Sequence, residues 1–202
     1  MLNAVVTLAH KYQQPAMSST QCSIGKLVEL LQRSAVELLT TLRQLEAREL
    51  GSVVAIVTTD FEALYAYKHG DYQRCFQLSI QNVSRLLYMY AVHMPAVPTF
   101  PEFIQLLDDD IVSLIALTRI VDPNGRDEFH NVYITQLTLS LYLMTQCQLK
   151  LRHSVTSQAL RLTLDCIEVA QRRHDIDLTL NHLILKLIER KLVTYIYDNL
   201  KQ

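Results

Sequence analysis

The 202-residue chain has no tryptophan, four glycines and five prolines. So few turn formers exclude a loop-rich or all-β architecture, which needs one at every reversal of the chain. Charge of one sign is equally scarce. Nineteen Lys and Arg oppose 20 Asp and Glu for a net of −1, so no global field gathers nucleic acid. The charges are unevenly placed, acidic over residues 98–128 and basic over 147–202, a split that solvated helix faces explain. No C-x-x-C pair links Cys22, Cys75, Cys147 and Cys166, which removes the common zinc and redox frameworks and leaves a reducing compartment, the cytoplasm, as the expected location. The apolar stretch 2–9 has no basic residue before it and is short for a signal core, so secretion is not expected. The Asn82-Val83-Ser84 sequon falls mid-helix and reads as chance.

Half of the residues are hydrophobic and 19% are charged, the composition of a chain that buries a substantial core. Their spacing is helical. From Ser23, Ile24, Val28, Leu31, Ala35, Leu38, Leu42 and Leu45 recur at alternating steps of four and three, a heptad seam in a helix that ends near Gly51. A coiled coil, within the chain or with another subunit, explains this seam; packing against the helices that follow explains it at least as well. Residues 53–94 read as an αα-hairpin broken at Gly70, which suits a left-handed C-cap, and Asp71, which offers a carboxylate to the free N–H groups of the next helix. Pro95, Pro98 and Pro101 then stop helix formation. Further helices are expected over 111–121, opened by Asp108-Asp109-Asp110 at the positive end of the helix dipole, over 127–150, over 155–173 with Ser154 as N-cap, and over 175–199 with Asp175 as N-cap. The sum is an all-α fold of about seven helices. Residues 1–22 form an N-terminal segment and linker, and 23–202 form one helical domain with a Pro-rich break at 95–101. Residues 131–149 carry no formal charge, yet Gln136, Thr138, Ser140, Thr145, Gln146 and Gln148 interrupt the run, so it reads as a helix buried on most sides rather than as a membrane span.

AYKHGDYQRC, residues 66–75, resembles the turn of a tetratricopeptide repeat, with Gly70, Asp71 and Tyr72 matching and Cys75 in place of the usual alanine. LTRIVDPNGRD, residues 117–127, is similar to the Asp-Pro-Asn link between successive repeats. The first helix lacks the family's Trp and Leu-Gly, and no second Gly-Asp-Tyr recurs about 34 residues away, so the resemblance implies a short, divergent array of stacked antiparallel helix pairs. It also implies a protein-binding groove whose facing positions fall on Asp60, Leu64, Tyr67 and Lys68. The expected function is a non-catalytic adaptor or scaffold module that binds another protein or peptide, without cofactor, nucleic acid or membrane, and works within a larger multi-subunit assembly.

Enzymatic readings have weaker support in the sequence. His153, His174, Asp175 and Asp198 can be written in the order of a helical metal-dependent phosphohydrolase, but about 0.4 His-Asp doublets are expected from this composition by chance. Asp108-Asp109-Asp110 lacks the alternation and glycine of a calcium loop. No G-x-G-x-x-G, Walker loop, H-E-x-x-H or G-x-S-x-G occurs. Five tyrosines, Tyr65, Tyr67, Tyr72, Tyr88 and Tyr90, cluster on the hairpin. Helix packing accounts for them better than base stacking, for which interleaved cations are too few.

Overall fold

One helix, Gln136–Lys150, lies at the centre of the fold, and twelve of its 15 residues are buried. In the computed structural model, residues 18–46, 53–88, 95–96, 106–121, 134–151, 156–173 and 179–200 are described. Among them run seven helices: α1 (Ser18–Glu46), α2 (Val53–Lys68), α3 (Tyr72–Tyr88), α4 (Asp109–Val121), α5 (Gln136–Lys150), α6 (Ser157–Arg173) and α7 (Thr179–Leu200). The fold is all-α. Among the described residues the one extended feature is a two-residue antiparallel ladder pairing β1 (Pro95–Ala96) with β2 (Ile134–Thr135), in the register Pro95 to Thr135 and Ala96 to Ile134. By packing, the chain divides into 1–35 and 36–202, so the boundary lies inside α1.

Within the larger unit α5 touches α2, α3, α6 and α7, and α3 against α5 is the most extensive contact. A helix contacted from four sides has no solvent face to make polar. This is why 131–149 carries no charge and why its polar residues are uncharged amides and hydroxyls. Leu139, Leu141, Tyr142, Leu143 and Cys147 of α5 are fully buried, as are Ile184, Leu185, Ile188 and Leu192 of α7. Ile56 and Leu86 form a further apolar contact, with Leu137 packed against it. Helices α2, α3 and α5 are thereby tied together.

The α2–α3 turn forms as the local sequence dictates. Gly70 has φ +80, and the Asp71 N–H donates to the Ala66 carbonyl at 2.9 Å, closing α2 with a left-handed residue. Asp71 Oδ1 accepts from the Arg74 N–H at 3.1 Å and caps α3.

Several expected boundaries shift. Residues 18–22, expected in a linker, belong to α1. Residues 134–135, expected inside a helix from 127 to 150, are extended. Thr135 (φ −74, ψ 152) is the N-cap of α5, its side chain accepting from the Thr138 N–H. Its own N–H donates to Asn181 Oδ1 at 2.7 Å. A contact from α7 therefore fixes where α5 starts, and local propensity cannot anticipate that. Thr156 caps α6, its hydroxyl accepting from the Ala159 N–H at 3.2 Å; the expected cap Ser154 lies outside the described residues. The expected cap Asp175, the remainder of the Pro-rich break (97–101) and the Asp-Pro-Asn link (122–124) lie outside the described residues.

Candidate functional site

The four positions implied by the repeat resemblance follow one face of α2, and the fold covers most of that face itself. Asp60 and Leu64 are each only 1% exposed. Asp60 Oδ1 accepts from Asn82 Nδ2 of α3 at 2.9 Å and from the Ser140 hydroxyl of α5 at 2.8 Å. Asn82 Nδ2 also donates to the Ile56 carbonyl at 3.1 Å. Tyr67, half-buried, donates its hydroxyl to Asp108 Oδ2 at 3.1 Å, and Tyr142 of α5 donates to the same oxygen at 3.1 Å. Only Lys68 is exposed. The expected groove is thus corrected at Asp60 and Leu64: α5 of the same chain occupies the face that a bound peptide would take in an open array.

The cluster these residues build is polar and dry. Asp60 Oδ2 and Asn82 Oδ1 have no hydrogen-bond partner among the described residues. Burial pushes the Asp60 carboxyl up to about 7, against the lowering effect of its hydrogen bonds from Asn82 and Ser140. Burial and the neighbouring Asp108 carboxylate raise the Tyr67 and Tyr142 hydroxyls well above the ordinary tyrosine range, which keeps both as donors. Close by, Cys75 and Cys147 are buried and unpaired. A hydrogen bond that the Cys147 thiol donates to Cys75, together with burial, raises the Cys147 thiol far above its usual range, so Cys147 is not poised as a nucleophile. Glu62, also buried, accepts from Arg74 Nε at 3.1 Å and Nη2 at 2.7 Å, and from the Thr40 hydroxyl of α1 at 3.4 Å. These networks join helices.

The residues of the metal-enzyme reading do not assemble among the described residues. His153, His174 and Asp175 lie outside them, Asp198 is exposed near the end of α7, and no group of three His, Cys, Asp or Glu able to hold a metal occurs among those described. The acids at the start of α4 have separate tasks. The Asp108 carbonyl accepts from the Val112 N–H, its carboxylate receives the two tyrosines, and Asp110 pairs with Lys191 of α7. No described helix is long and apolar enough to cross a membrane.

The structure places outward much of the apolar stripe of α1, which its spacing left open to the helices that follow or to another subunit. Leu27, Leu30, Leu31, Leu38 and Leu42 are 56, 60, 58, 63 and 38% exposed. Among the described side chains of this helix Gln32 and Val36 are the buried ones, and Thr40, on the same side as Val36, bonds to Glu62. At 100° per residue the leucine face lies roughly 130° around the helix from the buried one. The periodicity was the available signal: it shows that α1 has an apolar stripe, and it cannot say which stripe the chain covers. No family model, no curated protein and no solved structure matches this chain.

Proposed function

We propose that the chain is a non-catalytic protein–protein interaction module that binds through the leucine face of α1. The observation that carries this reading is the exposure of five leucines along one side of a 29-residue helix. Scattered apolar residues are normal on a surface, whereas a contiguous apolar face is the usual mark of a partner site. An amphipathic helix offered to another protein works through side chains three, four and seven apart, which is the spacing of Leu27, Leu30, Leu31, Leu38 and Leu42. The networks around Asp60, Asp108 and Glu62 hold α2, α3 and α5 rigid behind it, so binding needs no bond-making step.

The module works in the cytoplasm, where its unpaired cysteines remain thiols, and as part of a larger assembly of proteins. Its hairpin turn retains the Gly-Asp-Tyr chemistry of a divergent tetratricopeptide-like packing, with binding moved from the α2 face to α1.

The test is affinity capture from native lysate with the purified chain, beside Leu31→Gln/Leu38→Gln and Lys68→Ala, with circular dichroism confirming that all three fold. Proteins held by the parent and by Lys68→Ala but lost by the leucine variant support the reading. Identical profiles for all three overturn it.

A further inference from the structure

The leucine face has a spacing and a charge pattern that select one kind of occupant. Leu31 and Leu38 lie seven residues apart and are 58 and 63% exposed. In the sequence Ile24 and Leu45 continue the same interval. Val28, Ala35 and Leu42 share the seam with these residues, and the positions that flank it, Leu27, Ser34 and Thr41 on one side and Gly25, Gln32 and Leu39 on the other, carry no charge. Lys26, Glu29, Arg33 and Glu37 fall on the opposite arc of the helix and are exposed there.

In paired helices the residues flanking the seam choose the partner, through charges that attract the right chain and repel the wrong one. Here the flanks hold nothing to repel an identical helix and nothing to attract a particular foreign one. A single large apolar residue repeated every seventh position is also self-matching. When two copies lie parallel and in register, Leu31 meets Leu31 and Leu38 meets Leu38 about a two-fold axis, the isologous arrangement of most homodimers. The exposed parts of the five leucines amount to on the order of 500 Å² per copy, so with the uncharged flanks two copies approach the ~1,200 Å² of a specific interface.

Resting on the reading of α1 as a binding surface, we propose that its occupant is a second copy of this chain, joined as a parallel two-helix coiled coil along Leu31 and Leu38.

Sedimentation equilibrium of the purified full chain across a hundred-fold concentration range tests this. The expected result is a reversible dimer of twice the 23.2 kDa chain mass, weakened at least a hundred-fold by Leu31→Gln/Leu38→Gln and unchanged by Ile80→Gln, which alters an exposed apolar residue of α3. Because the substituted leucines are exposed, the variant is expected to keep its helical circular dichroism and melting temperature. Under mild oxidation, Leu31→Cys and Leu38→Cys are each expected to give an inter-chain disulfide that the parent chain does not form, since only parallel in-register pairing sets both positions against themselves, whereas an antiparallel pair can do so at one of them alone. A monomer at every concentration overturns the proposal. So does a dimer indifferent to the leucine substitutions, or one that Leu31→Cys or Leu38→Cys fails to cross-link. A monomer that still captures a different protein through Leu31 and Leu38 removes the second copy while leaving the binding reading intact; loss of both removes both.

Discussion

Replacing Asp60 by Asn is expected to flatten the dependence of stability on pH. The carboxyl is 1% exposed, accepts two hydrogen bonds at Oδ1 and leaves Oδ2 without a partner. Its proton is held up to about pH 7 in the folded chain, against 3.8 for an ordinary aspartate. Between those values the folded state keeps a proton that the unfolded chain has released. Stability is therefore full below pH 3.8, falls as pH rises, and reaches its floor above about pH 7. At 1.36 kcal/mol per unit, a shift of about 3 units sets a ceiling of about 4 kcal/mol. About 1.2 units of that shift are already lost by pH 5, so the ceiling between pH 5 and pH 8.5 is about 2.7 kcal/mol. Relaxation around the buried charge lowers it to about 2 kcal/mol. Asparagine preserves an oxygen for Asn82 and Ser140 and cannot ionise. Urea unfolding of parent and Asp60→Asn at pH 5 and pH 8.5 isolates the effect, because other titrating groups cancel in the difference between the two chains. The variant is expected to gain about 2 kcal/mol on the parent between the two pH values. A difference that stays constant within about 0.5 kcal/mol refutes the claim that Asp60 is buried, solvent-free and reluctant to ionise.

Gly70→Ala is expected to cost about 1 kcal/mol in chemical denaturation. An added Cβ meets nothing within 4 Å, so the whole loss comes from φ +80; an unchanged midpoint contradicts the left-handed turn. Asp108→Ala strands two tyrosine hydroxyls and is expected to cost about 3 kcal/mol. Tyr67→Phe and Tyr142→Phe are each expected to cost about 1 kcal/mol, and additive losses in double mutants with Asp108→Ala would show that no shared acceptor exists. A thiol reagent followed by mass spectrometry is expected to label Cys166, which is half-buried, faster than Cys75 or Cys147. Modification of the latter pair should track global unfolding in urea, and rapid labelling in the folded chain contradicts their burial.

Features set by a few adjacent residues were legible in the sequence. Gly70 and Asp71 announce the α2–α3 turn because backbone handedness and capping are local. The uncharged stretch 131–149 marks the central helix because a helix surrounded by others cannot afford ions. Features set by distant residues were not legible. Thr135 ends an extended segment because Asn181, 46 positions away, holds its N–H. Asp60 lies inside because Ser140, 80 positions away, hydrogen-bonds to it; a lone aspartate on a helix otherwise reads as surface. Leu31 and Leu38 show the converse. Their spacing makes an apolar stripe certain, but burial of Gln32 and Val36 instead of them depends on which side of α1 the rest of the chain covers.

Hydroxyl-radical footprinting of the full chain, free at high dilution and then in its bound state, tests most directly whether α1 is the binding surface. The account predicts that Leu27, Leu30, Leu31, Leu38 and Leu42 are labelled in the free chain and become several-fold protected on binding, while Lys68 and Tyr72 at the hairpin turn do not change. Equal labelling of the α1 leucines in both states, or protection at the hairpin turn in their place, contradicts it.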